Sequence, residues 1–456
     1  MSVWKKISLL LVFLLPFSSQ SVAGEALQDN VMPAIWTVRA AVDFALRNSP
    51  DSKISMSRIA AAQAAIAMEK SAFYPQLSLD SSYSQTDNPM YSFGNILNQG
   101  AFSPNIDFND PGRTDDLNLG VRLGYRLYDG GRDAALRAAE EQESASRMNL
   151  GAAHTQLAFE VVRACSLIMQ ADDMIKARQA AVEAISSSLA VAQARYDEGL
   201  LLKADLLDME VQLSQSQEDL IQAKNNREVA GKVLQNLLGV KDHGIAMDLK
   251  QESDQEVPVS RAYEQRFELK SLDAMIKAAE AKVRQARAGA YPTVDSYAGY
   301  SVDDGTVNGG SGDSWQAGVR LQYNFFDGHR TSAAVGRAMA MLDELREQKR
   351  KTDLGISLEV NRADIALQDA EARLRVLEKS VVQAEESARL NRIRFNEGVV
   401  LASDLIAVEN RLTAARLRRT VAMASRRIAV ADLRRALGLP QFAENNKAAE
   451  QPVASN

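Results

Sequence analysis

The 456-residue sequence has one cysteine, three histidines, 11 prolines and 25 glycines. A lone Cys165 excludes an intrachain disulfide, and His154, His243 and His329 are too scattered to suggest a metal or nucleophile–base centre. No Ser/His/Asp or paired-carboxylate constellation stands out, so neither an enzyme nor a cofactor is expected. Excess basic charge is missing as well. A formal charge of −6 excludes a nucleic-acid binder acting through bulk positive charge. No run reaches the ~18 apolar residues of a transmembrane helix. So few prolines and glycines leave few turns, and the chain must run in long elements.

What is present begins with an export signal. Lys5 and Lys6 precede a nearly unbroken apolar stretch, Ile7–Phe17. Ser21-Val22-Ala23 then puts small residues at −3 and −1 of a cleavage point before Gly24. The competing reading is an N-terminal membrane anchor, although the apolar stretch is short for a bilayer span. Loss of Lys5 and Lys6 takes the formal charge from −6 to −8, and no cysteine follows to carry a lipid.

At ~150 residues per domain this length would make three domains, but the chain is instead a duplicated unit. Ala72-Phe73-Tyr74-Pro75 recurs as Gly289-Ala290-Tyr291-Pro292, and Tyr128-Asp129-Gly130 as Phe326-Asp327-Gly328, offset by 198. Arg195-Tyr196-Asp197-Glu198-Gly199 recurs as Arg394-Phe395-Asn396-Glu397-Gly398, offset by 199. Asp205-Leu206 matches Asp404-Leu405, and Leu238-Gly239 matches Leu437-Gly438, also at 199. The first copy carries 19 extra residues between its Pro and Asp landmarks, naturally placed in Tyr91–Asn109 as an external loop.

Each copy alternates between two periodicities. Helical patterning runs over Arg132–Tyr196, 65 residues or ~100 Å, and again over 329–395. Leu374, Leu377, Val381, Ala384, Ala388, Asn391 and Phe395 space as a 3-4 heptad. Ile175, Arg178, Val182, Ile185, Leu189, Ala192 and Tyr196 match it in the first copy. This is a left-handed coiled-coil seam rather than a globular helix face. Gly199 and Gly398 supply the left-handed cap position that ends each helix, with Tyr196 and Phe395 beside them. Return helices follow at 204–238 and 403–437. Shorter helices precede each Tyr-Pro, at Arg261–Ala290 and at Thr37–Phe73, the latter broken near Ser49-Pro50. One long helix can then pair with two shorter ones laid end to end, the wall of a tube.

Between Tyr-Pro and Asp-Gly the period is two. Leu117, Leu119, Val121, Leu123, Tyr125 and Leu127 alternate with polar residues or glycine, and Trp315, Ala317, Val319, Leu321, Tyr323 and Phe325 do the same. Segments near Leu77–Gln85 and Val294–Val302 are the facing strands. A small soluble β domain is one reading. A membrane β-barrel is the other, favoured by strand length, by the aromatics and by Arg122, Arg126 and Arg320 on the polar face, as suits a wet lumen. Four strands cannot close a barrel, and an open edge in lipid is forbidden. Two chains would give eight strands and three would give twelve.

These landmarks together resemble the TolC family of outer-membrane efflux and secretion channels, over about Thr37–Leu439. The fold class expected is mainly α with a membrane β part. The resemblance implies a homotrimer sharing one 12-stranded barrel continued by a periplasmic helical coiled-coil barrel. It also implies a periplasmic membrane-fusion adaptor and an inner-membrane ABC or proton-driven pump as partners. The expected role is a passive exit duct in the outer membrane. Tyr128–Arg132 leans toward the type I protein secretion members. A periplasmic coiled-coil adaptor or scaffold without a barrel is the alternative function.

The helix turns lie at the end far from the barrel, and the resemblance makes that tip an iris with acidic rings. Asp404 matches a family aspartate there, Asp205 is its counterpart, and Asp208 is a second acid where the second copy has Ala407. The plainer reading of Asp205 and Asp404 is that they complement the dipole in the first turn of a helix. Arg394 either pairs with a nearby acid to hold the tip or is a solvated cation in the last helical turn. The expected layout is therefore a signal at 1–23, a first copy at 24–239 with hairpin 75–128 and long helix 131–196, a linker at 240–260, a second copy at 261–439 with hairpin 292–326, and an unstructured tail at 440–456.

Overall fold

A computed structural model describes residues 36–241 and 255–442. The expected export signal at 1–23, most of the expected linker at 240–260 and residues 443–456 lie outside the described residues. Twelve elements are seen among the described residues: α1 (Val38–Asn48), α2 (Pro50–Ser71), β1 (Gln76–Thr86), α3 (Pro89–Asn98), β2 (Thr114–Asp129), α4 (Arg132–Asp197), α5 (Lys203–Leu238), α6 (Phe267–Ala288), β3 (Thr293–Asp304), β4 (Ser311–Gln322), α7 (Arg330–Asn396) and α8 (Ala402–Ala436).

The two Asp-Gly landmarks are helix starters. Asp129 Oδ1 accepts from the Gly131 amide at 2.8 Å. Asp327 Oδ2 accepts from the Thr331 amide at 2.8 Å and its hydroxyl at 2.5 Å. Those bonds, the Thr331 hydroxyl first, hold the Asp327 carboxyl below its ordinary range. From these starts α4 and α7 run 66 and 67 residues, ~100 Å each at ~1.5 Å per residue. All fourteen heptad positions are buried or half-buried. The stripe therefore faces neighbouring helices, as a 3.5-residue repeat requires.

Each long helix is flanked by two shorter ones that meet end to end. Along α7 these are α8 and α6, which meet where Arg266 Nη1 donates to the Ala436 carbonyl at 3.2 Å. Along α4, α5 ends at Gly239, whose α-carbon lies against Pro50 at the start of α2. Across the tube wall the order is α5, α4, α8, α7 toward the tip and α2, α4, α6, α7 toward the sheet.

The sheet has the order β1-β2-β3-β4, antiparallel throughout. Register gathers the apolar side chains on one face, as in the row Leu79–Val121–Tyr300–Trp315. The opposite face carries rows such as Ser78–Arg122–Gly299–Gln316. β1 and β4 are both edge strands. A bulge at Leu127 drops that residue from the ladder and brings Tyr128 opposite Val294.

Four boundaries differ from the sequence reading. β4 stops at Gln322 rather than continuing through Phe325 to 326, because its partner β3 begins at Thr293 and the preceding Pro292 has no N–H to extend the ladder. The helix expected from Arg261 starts at Phe267, since Arg266 is extended and its guanidinium is drawn inward to Glu268, Glu359 and Ala436. The 91–109 insertion is not all loop. It shares α3, which Asn88 caps by accepting from the Met90 amide at 3.1 Å and which Pro89 starts. Finally, the segment assigned to the tail begins inside the fold. Gln441 is buried and donates to the Ala431 carbonyl at 3.0 Å, and Phe442 packs on the main core.

Candidate functional site

Among the described residues, the long helices α4 and α5, and α7 and α8, are joined by two turns of nearly identical backbone. Gly199 and Gly398 have φ of +76° and +78°, the left-handed region that glycine adopts without penalty. Gly199 N donates to Tyr196 O at 2.9 Å and Leu200 N to Arg195 O at 2.8 Å. Gly398 N and Val399 N repeat this to Phe395 O and Arg394 O, both at 2.9 Å. These paired bonds satisfy the last carbonyls of each helix and fold the chain back at once.

Behind the turns lies a small core of Ala192, Leu206, Met209, Phe395, Ala402 and Leu405, edged by Tyr196. Phe395 is 1% exposed and draws residues from both hairpins around it. The leucines of both Asp-Leu landmarks, Leu206 and Leu405, point into this core and so turn the preceding carboxylates outward. Asp205 is half-buried, while Asp208 and Asp404 are exposed. Asp205 and Asp404 stand in the first turns of α5 and α8, where an acid complements the helix dipole.

Arg394 is exposed and makes no ion pair among the described residues of the chain. The cations that tie the tip are others. Arg195 Nη1 donates to Phe395 O at 2.7 Å, crossing from the first copy's turn to the second's. Arg392 grips Glu409 with two bonds, Nε to Oε1 at 2.5 Å and Nη2 to Oε2 at 2.7 Å. Glu409 is only 4% exposed, and its bonds raise the Arg392 pKa. Gln212 and Asn410 exchange amide bonds at 3.2 and 3.1 Å between α5 and α8. The duplication itself pointed to Arg195, as the counterpart of Arg394. Arg392 and Glu409 had no such signal, because their first-copy counterparts are Gln193 and Glu210.

At the other end, the arginines expected on the polar face of the sheet are there, in a chain of opposite charges. Arg122 Nε lies 3.6 Å from Asp80, and Arg126 lies 2.9 Å from Asp295 and 3.3 Å from Asp129. Arg320 stands over the Tyr297 ring at 5.6 Å. At the distal end of the strands, Gln99 Nε2 donates to Asp115 O at 2.6 Å, and the Asp115 carboxylate accepts from Thr306 and Val307. α3 is thereby pinned across the β3–β4 turn. Among the described residues no three metal-ligating side chains converge, and no helix is long and apolar enough to cross a membrane.

The model of the outer membrane efflux protein family matches residues 41–240 and 259–439, nearly all of both copies. The chain belongs to the outer membrane efflux protein family. It is similar to Protein CyaE of Bordetella pertussis, 28% identical over 398 residues, which cover 83% of this chain and 79% of that one. Outer membrane protein TolC of Vibrio cholerae is 21% identical over 427 residues, covering 89% and 92%. In fold, this efflux protein superposes on the Campylobacter jejuni CmeC outer membrane channel with a TM-score of 0.76 at 18% identity, covering 91% of this chain and 88% of that one. The efflux protein is thus an outer-membrane duct with its strands in the membrane and its helices in the periplasm. Its four strands set aside the reading as a barrel-less periplasmic scaffold.

Proposed function

We propose that three copies of the chain close one 12-stranded barrel and one helical tube, forming a passive exit duct that a periplasmic adaptor and an inner-membrane pump open at its tip. The observation that supports this best is the open four-stranded sheet, apolar on one face and unpaired at both β1 and β4. In hydrocarbon no water satisfies an unpaired edge, so the edges must pair with further copies. Single-chain bacterial barrels need at least eight strands, which sets a minimum of two copies, and the TolC resemblance gives three.

Asp205, Asp208 and Asp404 from each copy then gather at the periplasmic mouth. Concentrated carboxylates in a narrow opening favour cations over anions. The aspartates are the selectivity element of the duct, and the turns holding Tyr196, Gly199, Phe395 and Gly398 are the parts that move. Arg122, Arg126 and Arg320 line the barrel lumen, where paired charges keep a wet wall. The cargo class follows the Tyr128–Arg132 landmark, which leans toward type I protein secretion, with small-molecule efflux as the other use of the same duct.

Planar-bilayer recording tests the gate. Asp205→Ala combined with Asp404→Ala is expected to reduce cation preference and divalent block. Unchanged conductance, preference and block would remove the aspartates from the mechanism.

A further inference from the structure

The two copies build the same turn twice, yet only one of the two is covered. Over the second-copy turn sits Arg195, bonded to Phe395 O at 2.7 Å with its guanidinium 5.8 Å from the Phe395 ring. A Cβ on Gly398 would collide with the Arg195 guanidinium, which therefore rests directly on that glycine. At the first-copy turn, a Cβ on Gly199 would meet nothing within 4 Å. The residue equivalent to Arg195 is Arg394, which is exposed and has no partner within its own chain among the described residues. One chain therefore holds a filled socket, an empty socket of the same backbone, and a spare copy of the side chain that fills it.

Relating the copies by their offset shows where the spare goes. In the tube wall α4 of the first copy packs on α8 of the second. The equivalent contact for α7 is with an α5, and within the chain α5 and α7 stand at opposite flanks. Both flanks are apolar. Leu207, Val211, Ile221, Val229 and Val233 are exposed on α5, and α7 exposes its own series, including Leu354, Ile365, Val376 and Val382. An α7 laid on the α5 of another copy carries Arg394 to that copy's Tyr196–Gly199 turn. Charge favours the match: the empty turn has Asp197, which accepts from Gln193 of its own helix at 2.9 Å, where the filled one has the neutral Asn396, so the approach of a guanidinium is electrostatically favoured there.

We infer that Arg394 seats on the Tyr196–Gly199 turn of a second copy of the chain, repeating between chains the contact that Arg195 makes within one. This rests on the ring of copies proposed above. Six equivalent turns, three covered from within and three from a neighbour, then lock the tip into one closed circuit. The partner of Arg394 is therefore the neighbouring chain's turn and not an acid of its own hairpin.

Cross-linking separates the two kinds of contact in the full-length protein. Burial pushes the Cys165 thiol up to about 12, which keeps it unreactive toward maleimides. Arg394→Cys with Glu198→Cys, treated with a short bis-maleimide, is expected to give covalent dimers and trimers on denaturing gels. Arg195→Cys with Glu397→Cys is expected to leave a single-chain band. Only single-chain bands from the first pair, in protein that still sizes as a trimer, would overturn the Arg394 contact alone. Protein that sizes as a monomer would overturn the ring and the contact together. Where a cysteine pair fails to fold, Arg394→Gln is read in planar bilayers against Arg195→Gln. Both are expected to raise closed-state conductance at least twofold, and an effect of Arg195→Gln alone would contradict the inference.

Discussion

The seam between α4 and α8 and the flanks formed by α5 and α7 are built from the same repeated sequence, yet their surfaces differ. Along the seam helices, large apolar side chains are exposed only at Leu167 and Val421 among the described residues. The flanks expose leucine, isoleucine and valine along their length. A duplicated unit makes each contact surface twice; a single chain uses both copies of the contacts within a repeat, such as α4 with α5 and α7 with α8, but only one of each pair of contacts between repeats. The exposed apolar side chains left over on the flanks are the surface that the proposed ring of copies covers. The sheet shows the same division, with β2 and β3 paired on both sides and β1 and β4 on one.

Seam substitutions should be costly within a chain, and flank substitutions should spare the chain while breaking the assembly. The largest effect is expected at Phe395, whose truncation to alanine in the core shared by both hairpins should cost ~3–5 kcal/mol in denaturant unfolding. A cost below ~1 kcal/mol would mean the tip seam is not packed as described. Arg266→Ala follows at about 1–3 kcal/mol, because Arg266 is 5% exposed and its loss removes the ion pair of Glu268 and the donor of the Ala436 carbonyl, while Glu359 keeps Arg435 at 3.2 Å. Burial, the largest single influence on Glu268, pushes its pKa up, but the Arg266 bond and the other contacts together hold it below 4.5. Glu268 thus adds stability that is present above pH 4.5 and fades as pH falls through its lower folded pKa. Arg266→Ala should flatten that acid limb, which melting curves across pH will read.

Next is the membrane face. Leu79→Arg, in the apolar row, is expected to cost ~2–3 kcal/mol on folding into lipid, against ~0–1 kcal/mol for Ser82→Arg on the polar face. Equal costs would mean the sheet does not separate lipid from lumen. Smallest within the chain is the flank substitution Val376→Asp, expected within ~0.5 kcal/mol of the parent in single-chain stability. Its consequence should instead be dissociation of the oligomer on size-exclusion chromatography.

Much of this was legible in the sequence because it depends on period and on local chemistry. The heptads around Val381 and Ile185 and the alternation around Val121 survive any tertiary arrangement that buries one face. Asp129 and Asp327 act within a few residues of themselves. What escaped depends on partners distant in the chain. The end of β4 is set by Pro292 just ahead of the partner strand β3, and the late start of α6 by the pull of Glu359 and Ala436 on Arg266. α3 was hidden by composition: Asn, Gly and aromatics read as loop, although Asn88-Pro89 is a sound helix start. At the tip, the sequence left Arg394 as either a tie to a nearby acid or a solvated cation, and the contact within the chain belongs to its counterpart Arg195, because a repeat shows which residues are equivalent and not which copy meets which.

The central claim is that three chains share one barrel and one tube. Native mass spectrometry of the full-length protein released from detergent tests it directly, since each chain adds a mass near 49.8 kDa before any processing. A single dominant species of three chains is expected, collapsing to one chain in Val376→Asp. A dominant species of one or two chains in the parent protein would contradict the claim.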